Sequence, residues 1–346
     1  MSETVAGDVP AVVGGQIAVG GSPWVVARRR LLRNWIAIAM LGVFVGIVVL
    51  CLAAPLYADY VAHTDPFQSN LQGTIVVDGK TVPVMQEASG GLGLGVTPIG
   101  PTWDLHHYFL GADDQGRDVA ARLLYGGRNS LLIGTAAALL TSVIATLIGL
   151  VAGFFGGIVD GVLSRLLDVV WAFPVYLLAI SLSTVLLTRG FSVGPLELES
   201  GSLLLPISII GVVYIPYVAR PIRGEVLSLR RREFVEAAIG LGASTRRLLW
   251  SDILPNVVTT TIVFFPLMMA LAMLTEAALS FLSIGVQPPD ASWGTIILDG
   301  QSLLYTRPAV ALAPGIAIAI TVLALNVLGD GIRDALDPRA KLRGIR

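Results

Sequence analysis

Charge is what this chain has least of. Lys, Arg, Asp and Glu make up 14% of its 346 residues while 54% are hydrophobic, whereas soluble domains are about a quarter charged. A soluble fold lacks the polar surface it needs here, so an integral membrane protein is expected. Cysteine is almost absent too. Cys51 stands alone, which excludes an internal disulfide and a cysteine-based zinc cage, and its apolar surroundings mark it as a small packed hydrophobe. No G-x-x-x-x-G-K-[ST] run occurs, so the chain itself is not expected to hold the phosphates of ATP. The apolar runs contain no histidine, which argues against a hydrolase built inside the membrane. His106 and His107 alone cannot close a metal site, and no metal is expected. The first 23 residues are Gly-rich without an apolar core, so no cleavable leader is read. A net charge of −1 gives no pointer to a polyanion, and no nucleic-acid partner is expected.

What is present is a series of long apolar runs. A helix needs about 20 residues to cross roughly 30 Å of hydrocarbon. The candidates are Trp35–Pro55, Ser130–Phe155, Val169–Leu187, Leu203–Ala219, Val257–Phe281 and Ala309–Leu328. No alternating barrel pattern accompanies them, so the spans should be helices. The expected organisation is a cytoplasmic segment over 1–34, a first span over 35–56, an outer insertion over 57–128, a five-helix core over 129–330 and a cytoplasmic tail over 331–346. With both termini inside, the cytoplasmic segments hold Arg28, Arg29, Arg30, Arg33, Arg165, the arginines between Arg220 and Arg247, and Arg333, Arg339, Lys341, Arg343 and Arg346. The outer segments hold only Lys80, Arg117, Arg122, Arg128, Arg189 and Arg307. That bias fits the positive-inside rule.

Inside the insertion, "GTIVVDGKTVPV" (Gly73–Val84) sets two β-prone runs around Asp78-Gly79, a pair suited to a tight hairpin. The "GGLGLG" that follows reads as a connector. Gly149, Gly153 and Gly157 recur every four residues, which predicts one helix face open to close helix approach; incidental glycine in a membrane helix is the alternative. Pro206, Pro216, Pro221, Pro266 and Pro314 are candidate kinks. Glu276 lies near the outer end of the fifth span, where a functional carboxylate and a capped structural one stand level. Arg117 and Asp118, and Asp330, Arg333 and Asp334, read as clasps at the membrane surface.

Between the fourth and fifth spans lies "REFVEAAIGLGASTRRLLWSDILPN" (Arg232–Asn256). Helical periodicity runs from Ser228 to Gly240, with Phe234, Ala238 and Leu241 in one stripe, Val235 beside them, and Arg232 and Glu236 one turn apart. Gly240 and Gly242 should end that helix. Ser244 should cap a second, carrying Leu248, Leu249, Trp250 and Ile253, and Leu254-Pro255 should end it. Docking to a partner protein and lying on the membrane surface remain equal readings on this pattern.

"EAAIGLGASTRRLLWSDILPN" resembles the EAA loop of permease subunits in ABC importers. The match falls at Glu236, Ala237, Ala238, Gly242, Leu254 and Pro255, with Asp252 in a slot that is usually apolar. "LGADDQGRDVAARLLYGGRNSLLIG", "TEAALSFLSIGVQPPDASWG" and "LNVLGDGIRDALDPR" are similar to dipeptide and oligopeptide permeases of the C type. The resemblance covers about Trp24 to Arg339, apart from Gly73–Gly100. It implies an all-α polytopic protein of the type I importer fold, with six transmembrane helices and a small outer insertion. It implies a non-catalytic subunit of the cytoplasmic (inner) membrane, paired with a homologous B-type permease. One or two cytoplasmic ATPases, holding ATP and Mg, would grip Arg232, Glu236, Ala237, Ala238, Gly242, Leu254 and Pro255 in the loop 222–256. An extracytoplasmic binding protein would deliver peptide. Glu276, Asp290, Ser292 and Trp293 would stand at the outer gate or meet that protein. An ion-driven transporter would instead show inverted repeats and mid-membrane charges, neither of which is evident, and a scaffold would leave the hairpin unexplained.

Overall fold

The computed structural model describes residues 23–77, 79–87, 95–189, 191–193, 196–198 and 201–337. The expected tail charges Arg339, Lys341, Arg343 and Arg346, and Asp78 of the hairpin turn, lie outside these. A short amphipathic helix α1 (Pro23–Arg33) precedes α2 (Trp35–Leu52), whose N-terminus is capped by the Asn34 side chain accepting from the Ala37 amide. The chain continues through one turn, α3 (Ala54–Leu56), and a wide π turn over Tyr57–Ala62. The insertion after the first span carries β1 (Thr74–Val77) and β2 (Lys80–Pro83), paired antiparallel from Thr74↔Pro83 to Val77↔Lys80, as the alternating pattern required. A second pair, β3 (Met85–Glu87) with β4 (Val96–Pro98), was not legible in the sequence. Val84, Ile99, Tyr108 and Ala112 form a small separate core beneath them.

The central helix α4 (Val119–Phe155) starts earlier than the apolar run alone suggested. Asp118 caps it, accepting from the Ala120 and Ala121 amides at 2.8 and 3.2 Å, so the polar first turns are already helical. The third apolar run is not one straight span. It takes in the end of α5 (Gly157–Trp171) and most of α6 (Val175–Arg189), two helices set at 86°. Pro174 lies in the break and cannot donate to a continuing helix. A small hairpin, β5 (Phe191–Val193) with β6 (Leu196–Leu198), follows. The fourth run divides into α7 (Leu204–Val213) and α8 (Ile215–Leu229), bent by 42° with Pro216 in the first turn of the second helix. Pro221, Pro266 and Pro314 stay inside continuous helices.

Two short helices, α9 (Glu233–Gly240) and α10 (Thr245–Arg247), lead through a π turn (Leu248–Ile253) into α11 (Leu254–Phe281). Beyond a loop come α12 (Trp293–Gly300) and α13 (Ala309–Leu336). Among the described residues, four helices are long and apolar enough to cross a membrane, six if each bent pair is one span.

α4 is the hub, packing along α8 and α11. Gly149 and Gly153 make this possible. A Cβ on Gly149 would lie 2.7 Å from Ile222 Cγ2, and one on Gly153 would lie 2.7 Å from Val226 Cβ and 2.8 Å from the Arg223 carbonyl oxygen. Gly157 does not share this face. α4 ends at Gly156, and Gly157 opens α5 with φ +54° and open space around its α-carbon. The stripe of three glycines is therefore two, because the helix turns away before the third. On the same side of the molecule, Asp160 is gripped bidentately by Arg223, and Asp168 meets Arg220 at 2.6 Å, tying α5 to α8.

Candidate functional site

The stretch Arg232–Asn256 links α8 to α11 through α9, α10 and the π turn, and its last residues open α11. The periodicity from Ser228 to Gly240 is interrupted at Arg230–Arg232, where α8 ends and the chain turns before α9. Glu233 and Glu236 occupy the first turn of α9, where carboxylates oppose the positive end of the helix dipole. Its C-terminus closes as a Schellman motif. The Gly242 amide donates to the Ile239 carbonyl at 2.9 Å, and the Ala243 amide to Ala238 at 3.0 Å. Gly242 sits at φ +81°, the left-handed conformation that this cap requires of its glycine. Ser244 caps the next turn, accepting from the Arg247 amide.

Val235, Leu248 and Ile253 are buried, and Ile253 joins the main core of the bundle while α9 packs on the π turn. Of the stripe, Phe234 and Leu241 are exposed, Leu241 at 89%, and Ala238 between them is half-buried. Ile239 and Trp250 are exposed as well. Arg232, Glu236, Ala237 and Gly242 are likewise exposed. Leu254 and Pro255 are placed differently. Leu-Pro does not end the second helix, because the chain runs through the π turn straight into α11 with Pro255 in its first turn, where a missing amide costs nothing. Pro255 borders a crevice of about 1260 Å³ between α1, α8, α11 and α13, together with Arg30, Glu225 and Asn326. Asp252, in the usually apolar slot, has a buried Oδ2 with no hydrogen-bond partner, while Ile253 beside it supplies the apolar anchor.

At the other end of α11, Glu276, Ser292 and Trp293 are buried within the chain. Glu276 accepts from Ser130 of α4 at 2.9 Å and from Ser280 at 2.7 Å. Ser130 accepts in turn from the Trp293 amide at 3.1 Å, and the Trp293 indole donates to the Leu123 carbonyl at 2.9 Å. Ser292 forms a capping box with Thr295. Asp290 alone of the four is half-exposed.

Next to this knot is a charged clasp that sequence reading saw only in part. Arg117 holds Asp113 at 2.7 Å and Asp299 at 3.1 Å, and Arg122 meets Asp299 at 2.9 Å. Burial pushes the Asp299 carboxyl above the usual carboxylate range, against the pull of Arg122 and Arg117. Asp118 is raised by burial as well, while the amides it caps hold it down. Arg117 and Asp118 are thus clasps, as their sequence context suggested. Among the described residues, Asp330, Arg333 and Asp334 make no ion pair with one another.

Helices fit to span a membrane, with a short charged hairpin between α8 and α11, define a polytopic membrane protein. Residues 145–342 match the family described as binding-protein-dependent transport system inner membrane component, to which this chain belongs. Residues 22–73 match the N-terminal TM domain of oligopeptide transport permease C. A putative peptide transport system permease protein of Brucella abortus is 35% identical over 328 residues, covering 94% of this chain and 95% of the relative. The oligopeptide transport system permease protein OppC of Escherichia coli K12 is 36% identical, covering 92% of each. The glutathione transport system permease protein GsiD of Salmonella typhimurium is 42% identical over 237 residues, covering 68% and 74%. A solved structure of the MetNI methionine ABC transporter in an inward-facing conformation superposes with a TM-score of 0.50 at 18% identity. It covers 62% of this chain and 96% of its own, and shows the type I permease fold.

Proposed function

We propose that this permease is one half of the membrane pathway of an ATP-driven peptide importer. The observation that carries the reading is the outward stripe of Phe234, Ala238 and Leu241 beside Glu236 and Ala237. An apolar face left open on a small charged hairpin is a docking surface in want of a partner. One or two cytoplasmic ATPases that hold ATP and Mg would receive it in a groove. Their closure favours one arrangement of the helices over another, which is how binding drives a two-state change. A homologous B-type permease completes the pathway, and an extracytoplasmic binding protein brings the substrate. The hairpin then faces the cytoplasm with both termini, in the inner membrane, as the arginine bias supports. The chain performs no chemistry of its own and takes no nucleic acid. Peptide is the substrate that the names of the relatives favour, and the glutathione permeases among them keep the class to small peptides.

The test is gentle extraction of the tagged chain from native membranes and mass spectrometry of what accompanies it. A second permease with one or two ATPases is the expected result. A chain recovered alone, with Phe234 and Leu241 buried in lipid, would assign the hairpin to the membrane surface instead.

A further inference from the structure

The outer insertion carries an exposed apolar tip that the transport reading does not use. Trp103 is 71% exposed and Leu105 is 55% exposed, at the end of a loop over 102–108. Trp103 holds φ +58°, a left-handed backbone that is uncommon for a bulky residue and persists only where the surroundings impose it. They do so here. Thr102 Oγ1 accepts from the Asp104 amide at 3.2 Å and donates back to the His107 and Tyr108 carbonyls. The Trp103 ring stacks edge-on against Phe109 at 5.6 Å. The polar groups of the tip pair locally, with Asp104 accepting from the His106 amide at 3.0 Å and lying 2.9 Å from His107 Nδ1, while Asp104 and His106 stay exposed. Trp103 and Leu105 are the outward apolar groups of a braced loop, with the exposed Asp104 and His106 beside them, a mixed apolar and polar tip suited to the headgroup layer.

The position of this tip says what covers it. His106 Nδ1 lies 3.2 Å from the Val61 carbonyl oxygen, which fixes the loop beside the end of the first span. That span has a continuous exposed apolar stripe of Val45, Val49, Leu52, Leu56 and Tyr60. At 1.5 Å per residue the 18 residues of α2 already run about 27 Å, so Tyr60, eight residues further along, stands at the edge of about 30 Å of hydrocarbon and within the headgroup layer. This is the depth at which tryptophan and tyrosine gather in membrane proteins, with the apolar body in the acyl boundary and the polar edge in water.

We propose that the loop bearing Trp103 and Leu105 is a membrane anchor, seated in the headgroup layer at the end of the protein away from the hairpin and continuous with the lipid-facing stripe that ends at Tyr60. The anchor holds the insertion and its two hairpins against the bilayer, rather than letting it stand free above the helices.

The full chain, with the subunits that accompany it, is reconstituted in vesicles of lipids brominated either near the headgroup end or near the methyl end of the acyl chain. Subtracting the emission of Trp103→Phe from that of the unaltered protein isolates Trp103. Quenching by half or more in the headgroup-end lipid, weaker quenching in the methyl-end lipid and shielding from aqueous iodide are expected. A Trp103 component open to iodide and indifferent to both lipids overturns the anchor. So does shielding that appears only on adding an extracytoplasmic protein, which would make the tip a protein contact. Should Trp103→Phe fail to fold, a nitroxide on Leu105→Cys in a Cys51→Ala background gives the same decision. Collisions with oxygen exceeding those with a water-soluble nickel chelate support the anchor, and the reverse overturns it.

Discussion

Glu276 Oε2 and Ser130 Oγ meet at 2.9 Å across the packed faces of α11 and α4, although 146 residues separate them in sequence. The contact is one strand of a knot. Ser280 brings a second hydroxyl to the same carboxyl at 2.7 Å, and also accepts from the Val286 amide at 3.0 Å. Two spans, the loop after α11 and the start of α12 are therefore pinned at one side chain. Glu276→Leu leaves those hydroxyls buried without an acceptor, at about 1–3 kcal/mol for each. Thermal denaturation in nanodiscs should show a large fall in Tm, and a smaller one for Glu276→Gln, which keeps one acceptor oxygen. Equal Tm values for all three proteins would mean the knot contributes nothing.

Gly149 and Gly153 let α8 lie close against α4. Because a Cβ on Gly153 would meet both Val226 and the Arg223 carbonyl, Gly153→Ala must push the helices apart, with an overpacking cost of about 1–3 kcal/mol. Gly161 in α5 faces open space, so Gly161→Ala should be neutral or stabilising by about 0.5–1 kcal/mol, the ordinary helix preference. Parallel melting curves check the contrast, and a Gly153→Ala protein as stable as Gly161→Ala would contradict the close approach.

Arg122 and Asp299 join the start of α4 to the end of α12. A double-mutant cycle of Arg122→Ala and Asp299→Ala should return a coupling of about 0.5–3 kcal/mol. The pH dependence follows from the raised carboxyl of Asp299. The folded state holds its proton at a higher pH than the unfolded chain does, so the contribution of this group is fullest below about pH 4 and is lost as pH rises through the raised value. Asp299→Asn should flatten that slope. A pH profile identical to that of the unaltered protein would remove Asp299 from the account.

Hydropathy and turn chemistry made much of this legible. The apolar runs, the β1–β2 pair around Gly79, the Gly242 cap and the Ser244 cap are all local patterns. What failed was direction. Hydropathy measures how apolar a run is and not where it points, so the 86° break beside Pro174 was hidden in a single apolar stretch. Leu254-Pro255 looked like a stop, yet a proline in the first turn of a helix is no obstacle. The stripe of Phe234, Ala238 and Leu241 gave the period without the side, and Val235 proved to be the buried residue. The clasp of Asp113, Arg122 and Asp299 depends on contacts between residues far apart in the chain, which no local pattern records.

Glu236 tests the hairpin directly. It is exposed, it lies in the first turn of α9, and no ion pair holds it among the described residues. Glu236→Lys should therefore leave membrane insertion unchanged, with about 0.5–2 kcal/mol lost locally from reversing a charge at the helix dipole. If the hairpin transmits motion from an ATPase, reversing this charge should lower peptide uptake at least tenfold while ATP hydrolysis by the assembled complex continues. Uptake and hydrolysis measured in the same vesicles give the ratio, and an immunoblot gives the amount inserted. Uptake at the unaltered rate would remove Glu236 from the contact. Loss of the chain from the membrane would show instead that the side chain supports folding, which its exposure argues against.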